Sequence, residues 1–166
     1  MKSTCSLFVV SGFGLGLIPK APGTWGSLIP LIVVLACGHF GVSSSVIVGT
    51  LVALVFVFSI LTIERAKWYT EYFGRNDPPQ VVSDEVVGQS IALLCMAWLP
   101  LPTEDPESWI GLAVLSFVLF RIFDIWKPGL IDSAQNFNGG WGVLMDDVFA
   151  GIVAGGLVLV ASTFVM

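Results

Sequence analysis

The chain has 166 residues, 55% of them hydrophobic and only 11% charged, with a mean hydropathy of +0.90. So few charges cannot cover the outside of so apolar a domain in water; a soluble fold of ordinary composition is excluded, and one compact all-α membrane domain over residues 1–166 is expected. A formal net charge of −5 and a pI near 4.5 exclude a nucleic-acid partner, which demands a basic face.

After Lys2 comes a short apolar stretch, but the following SGFGLGLIPKAPGTWG has no convincing small-x-small cleavage site, so it reads as part of the domain and not as a removed signal. Residues 11–28, SGFGLGLIPKAPGTWGSL, are rich in Gly and contain Pro19 and Pro22. No βαβ context makes them a dinucleotide fingerprint, and no Gly-Lys-Ser/Thr ending makes them a Walker A loop. Such a Gly-Thr loop ahead of a membrane helix could hold an anion on backbone amides and the Thr24 hydroxyl; the spacing fits a plain loop equally well.

No formal charge lies between Lys20 and Glu64, and GHFGVSSS at 38–45 divides that interval into a hairpin of two hydrophobic segments. His39, the single histidine, falls in the dividing loop. Further charge-free segments run over 86–102, 109–120 and 148–166, which predicts a polytopic bundle of about five spans. The third and fourth are shorter than the roughly 20 residues that cross a bilayer unaided. They must therefore borrow Asp84-Glu85 and Arg121 to Asp124, at the edge of the hydrocarbon.

Orientation follows from the cations, because short cytoplasmic loops collect Lys and Arg. All seven, Lys2, Lys20, Arg65, Lys67, Arg75, Arg121 and Lys127, fall on one side of this topology. The opposite loops have none and carry Glu104, Asp105 and Glu107. The N-terminus is expected in the cytoplasm and the C-terminus outside. The same scheme, without using them as input, puts all the other acids on the cytoplasmic face.

Each acidic constellation has a plain alternative. In VVSDEVVGQS, residues 81–90, Ser83 and one acid are an ordinary helix start, but two adjacent carboxylates point about 100° apart on a helix, so one faces inward. In RIFDIWKP, residues 121–128, Arg121 and Asp124 at i, i+3 could neutralise each other; alternatively Asp124 serves a metal and Arg121 or Lys127 grips a phosphate oxygen. Pro128 ends that helix and fixes Lys127 near its C-terminus. LMDDVFAGIVAGG, residues 144–156, leads Asp146 and Asp147 into the last span, with Gly151 and Gly155 spaced for close helix approach. The preceding NGGWG offers the amides of Gly139 and Gly140 to a phosphate, or is simply a turn.

Three distant segments thus deliver carboxylates to one interface, as a divalent metal site requires. No histidine stands on that side to act as a nucleophile or complete a Ser-His-Asp triad. Cys5, Cys37 and Cys95 are widely spaced, none has an Arg six positions on, and they read as small packing residues.

Together, PGTWGSL at 22–28, DEVVGQ at 84–89, RIFDIWKP at 121–128 and GGWGVLMDDVFAG at 139–151 resemble the phosphatidylglycerophosphatase A family, in order and over nearly the whole chain. The resemblance implies a bacterial cytoplasmic-membrane enzyme that hydrolyses phosphatidylglycerophosphate to phosphatidylglycerol and inorganic phosphate with Mg²⁺. It points to Asp84, Glu85, Asp124, Asp146 and Asp147 as the acidic, metal-binding site, with Lys127 beside it. One departure is visible: after Lys127-Pro128 the family usually has a second proline, where this chain has Gly129. The competing readings are a divalent-cation transporter, against which the absence of acids deeper in the spans argues; a CDP-alcohol type phosphotransferase, whose signature is missing; and a purely structural membrane subunit.

Overall fold

The computed structural model describes residues 2–99 and 106–165, and Glu104 and Asp105 lie outside them. The described residues form eight α-helices: α1 (Lys2–Val10), α2 (Pro22–His39), α3 (Ser44–Glu64), α4 (Ala66–Phe73), α5 (Ser83–Leu94), α6 (Pro106–Trp126), α7 (Leu130–Ala134) and α8 (Gly140–Ser162). Short 3-10 turns occupy Leu15–Leu17 and Cys95–Trp98. Pro22 opens α2 at a position where no amide partner is lost, and Gly74, at φ 71, closes α4 in the left-handed conformation. The three cysteines are free.

Four helices, α2, α3, α6 and α8, are 18 to 23 residues long and apolar enough to cross a membrane. Their outward faces carry Ile32, Val52, Phe56, Ile60, Val114, Val118, Ile152, Leu157 and Val160, all exposed, as a lipid solvent allows.

Four of the roughly five expected spans are thus long apolar helices; the third segment is built differently. That segment is α5, only 12 residues long, followed by the four-residue 3-10 turn. At a rise of about 1.5 Å per residue the α-helical part is roughly 18 Å long, well short of a hydrocarbon core of about 30 Å. Hydropathy reports that a segment avoids water, not whether lipid or protein receives it. Here protein does: Val86, Val87, Gly88, Gln89, Ser90, Ala92 and Leu93 are all buried, enclosed by α2, α3, α6 and α8.

Contacts along α5 give the direction of each neighbour. Gly151 and Gly155 on α8 meet Gly88 and then Ala92 and Cys95, so these helices run parallel. Gly23 of α2 lies against Glu85, while Leu31 and Val34 share a core with Leu93 and Met96, so α2 runs the same way. Thr62 of α3 meets Ser83 and Phe58 packs with Val86 and Val87, which makes α3 antiparallel. Gln89 of α5 donates to the Ser116 hydroxyl at 3.1 Å, Gly88 abuts Phe120, and Leu93 clusters with Leu112, so α6 is antiparallel as well. The start of α2, the end of α3, the start of α5, the end of α6 and the start of α8 therefore meet at one end of the bundle.

The Gly151 and Gly155 spacing thus does bring helices together, the partner being α5. Gly88 works from the other side, where a Cβ would come within 2.6 Å of the Asp147 carbonyl oxygen. The N-terminus of α5 is pinned by the buried Thr62 hydroxyl, 2.7 Å from Ser83 Oγ and 2.9 Å from the Phe58 carbonyl. Thr62→Val leaves the Ser83 hydroxyl buried without that partner and is expected to cost about 1–3 kcal/mol. A lower unfolding temperature in detergent checks this, and an unchanged one refutes the pinning role.

Candidate metal and phosphate site

At the shared end, α5 presents Asp84 and Glu85 in its first turn and α8 presents Asp146 and Asp147 in its second. One carboxylate oxygen each from Asp84, Glu85 and Asp147 lies within 4.8 Å of the others. Asp84 and Asp147 are buried and Glu85 half-buried. Asp84 Oδ1, Glu85 Oε2 and Asp147 Oδ1 are buried with no hydrogen-bond partner among the described residues.

Three carboxylates so close repel unless protons or a cation neutralise them. An all-oxygen donor set without His or Cys suits a hard cation such as Mg²⁺ or Ca²⁺. The residues present therefore fit a divalent ion, and the cluster could hold one.

The other two acids expected in the metal set have cationic partners. Lys127 Nζ donates to Asp146 Oδ2 at 2.5 Å, and Asp146 Oδ1 accepts the Asp147 backbone N–H at 3.0 Å. Burial alone would push the Lys127 ammonium down; the hydrogen bond and charge of Asp146, with Asp147 and Asp124 behind it, outweigh that and raise it above the usual lysine value. Arg121 Nη1 pairs with Asp124 Oδ2 at 2.5 Å, the i, i+3 neutralisation that the sequence allowed. The same Nη1 donates to Ser27 Oγ at 3.3 Å, and the Ser27 hydroxyl donates to the Gly23 carbonyl at 2.8 Å. Arg121 Nε is buried without a partner among the described residues.

Backbone strain marks Lys127. Its φ of 46 is unusual for a residue with a Cβ and costs on the order of 1–2 kcal/mol. α6 ends at Trp126, the Lys127 amide still donates to the Phe123 carbonyl at 2.8 Å, and Pro128 prevents continuation. Gly129 then takes φ 54 and ψ −104, a conformation closed to proline, so the departure from the second proline has a direct backbone correlate.

The other residues expected at a phosphate are placed differently from one another. Thr24 lines a groove with Phe117, Val118, Arg121, Ile122 and Ile125, on the outward side of α2 and α6. Gly139 borders a cavity of about 250 Å³ that Asp146 also lines. Gly140 is a packing residue: a Cβ there would lie 2.7 Å from the Ile63 Cα and 2.8 Å from the Thr62 carbonyl oxygen.

Several residues at this end escaped the sequence reading. Gly23 gives room to the site, since a Cβ there would collide with Glu85 Oε1 and sit 3.0 Å from both Arg121 Nη atoms. Asp77 lines the Asp146 cavity and also a second one, of about 230 Å³, bounded by Gly23, Arg75, Glu85 and Arg121. Tyr69 is fully buried, its hydroxyl has no partner among the described residues, and burial followed by the charges of Asp84 and Asp77 pushes its phenol well above the usual value. PGTWGSL contained a signal for Gly23, but nothing in spacing singled out Asp77 or Tyr69.

The profile of the family described as Phosphatidylglycerophosphatase A matches residues 8–162. A Bacteroides thetaiotaomicron protein provisionally named phosphatidylinositol-3-phosphatase is 38% identical over 156 residues, covering 93% of this chain and 92% of its own. Proteins named phosphatidylglycerophosphatase A are 33% identical in Escherichia coli, over 88% of this chain and 77% of that one, and 37% identical in Haemophilus influenzae, over 86% and 80%. No solved structure matches.

Proposed function

The chain belongs to the phosphatidylglycerophosphatase A family of lipid phosphatases, and from that premise we propose that it hydrolyses phosphatidylglycerophosphate to phosphatidylglycerol and inorganic phosphate, using Mg²⁺. The observation that carries the reading is the cluster of three carboxylates from Asp84, Glu85 and Asp147, each of which also has one buried oxygen without a partner among the described residues. Those three residues would hold the ion, whose chemistry when bound is to neutralise the phosphate monoester and polarise it toward attack. Lys127 and Arg121 offset charge on the phosphoryl oxygens, while Asp146 and Asp124 hold them in place as positioning residues. Water is the nucleophile: its oxygen joins phosphorus, the ester P–O bond breaks, and a proton ends on the released lipid hydroxyl.

The site faces the cytoplasm in this reading, in a bacterial inner membrane, with α5 and the 3-10 turn that continues it, enclosed by the long helices, together completing a fifth crossing. The alternating directions of α2, α3, α5, α6 and α8 support that, as does the gathering of Lys and Arg on the side of the acids. Buried acids concentrated at one end of the bundle, and not distributed through it, weigh against a divalent-cation channel.

The name of the Bacteroides relative favours a second substrate, a phosphatidylinositol 3-phosphate, which is also a lipid phosphate monoester. Phosphate release by the purified protein, measured on both lipids with Mg²⁺ and with chelator, separates the two. We expect faster turnover of phosphatidylglycerophosphate, loss with chelator and recovery with Mg²⁺. Mg²⁺ is also expected to raise the unfolding temperature, since an ion at about 100 times its Kd stabilises by about 2.7 kcal/mol. Preference for the inositol lipid would reassign the substrate; chelator-resistant release would refute the metal site.

A further inference from the structure

We propose that the acyl chains of the lipid substrate reach the acidic site sideways, through the groove between α2 and α6, with Arg121 marking where chain gives way to phosphate. This rests on the lipid phosphatase reading and deepens it. The groove has a volume of about 450 Å³ and is lined by Phe117, Val118, Ile122 and Ile125, with Thr24 and Arg121 as its polar groups. Val118, Ile122 and Ile125 are 44%, 47% and 72% exposed, so it opens outward along a candidate membrane helix.

Arg121 belongs to two spaces at once. It lines this apolar groove and also the polar cavity of about 230 Å³ that contains Glu85, Gly23 and Arg75. Its Nη1 is committed to Asp124 and Ser27, whereas its Nε–H is buried without a partner among the described residues. A ligand filling both spaces has an apolar chain joined to an anionic head, with an acceptor oxygen at the junction. A diacyl phosphate lipid has that sequence of parts, and its chain never has to leave an apolar environment. Gly23 keeps the junction open, because any side chain there would strike Glu85 and crowd Arg121. The cavity on the Asp146 side instead adjoins the exposed loop at Gln135, Phe137 and Gly139, a route suited to water.

Val118→Trp tests the groove, with Val153→Trp on the outward face of α8 as a control of equal bulk. The full-length protein in mixed micelles is given dioleoyl phosphatidylglycerophosphate and a water-soluble dibutyryl analogue. Val118→Trp is expected to raise KM for the long-chain lipid by about tenfold or more while changing the short-chain KM less than about twofold, because chain binding remote from phosphorus is lost. Val153→Trp should change neither. Equal effects of Val118→Trp on both substrates, or none on either, would overturn the proposal; no phosphate release by the parent protein from either would instead overturn the phosphatase reading.

A measurement without substitution stands beside it. A long-chain substrate carrying a photoactivatable diazirine on its acyl chain should label peptides spanning 117–125 and the start of α2 well above the outward face of α8. Even labelling of all outward faces would overturn the groove.

Discussion

Asp147→Asn is expected to reduce Mg²⁺-dependent phosphate release by about a thousandfold, equivalent to about 4 kcal/mol of transition-state stabilisation. The substitution keeps the side chain's shape and removes one of three oxygens that have no other partner among the described residues. The sign of its effect on stability separates a metal site from a structural one. With chelator present, the parent protein holds three mutually repelling carboxylates in a low-dielectric setting, and the variant holds one fewer. The chelated variant should therefore unfold at the same or a higher temperature than the chelated parent, and gain less from added Mg²⁺. Retained activity would remove Asp147 from the site. Lost activity together with a lower unfolding temperature in chelator would reduce it to a packing role.

The second large effect is on folding. Gly151→Leu places a side chain against the backbone carbonyl of Gly88, which cannot rotate away as a side chain could. Relief requires separating α5 from α8, and we expect a cost at or above the upper end of the roughly 1–3 kcal/mol typical of overpacked cores. Because those two helices carry all three clustered acids, activity should fall with the yield of folded protein. Gly156→Leu is the matched control: a Cβ there meets nothing within 4 Å, and the residue is exposed. Folded yield in detergent should drop for the first and hold for the second; equal behaviour would refute close packing of α5 on α8.

These two residues also show what was legible beforehand. Asp147 stood out because an acid at the start of a long apolar helix is expensive unless something answers it, and cost is visible in sequence. Gly151 and Gly155 announced close approach but not its partner, because spacing describes one helix face and says nothing of the other. The apolarity of the α5 segment showed that it leaves water but not what receives it; Gly88, Gln89 and Ser90 within it, small or polar, were the hint that protein surrounds it. Arg121 and Asp124 could be paired from their separation alone. The motifs holding Thr24 and Gly140 did not show which way each residue faces: Thr24 lines an outward groove and the Gly140 backbone packs against α3. Asp77 and Tyr69 lie on the connecting segment and on short α4, where periodicity carries no information about which cavity a side chain borders.

The enclosure of α5 bears on how the protein is made. A nascent helix settles into a bilayer on its own when lipid is a better home than water, and α5 is short, holds two acids in its first turn and keeps buried Gln89 and Ser90 for protein neighbours. It leaves the ribosome before α6 and α8 exist to shield it. Its last protein neighbour, α8, is also the last helix to be made, so α5 is fully enclosed only once the chain has been synthesised nearly to its end. Because Asp84 and Glu85 come from α5 and Asp147 from α8, completing the acidic site and enclosing α5 are one and the same late step.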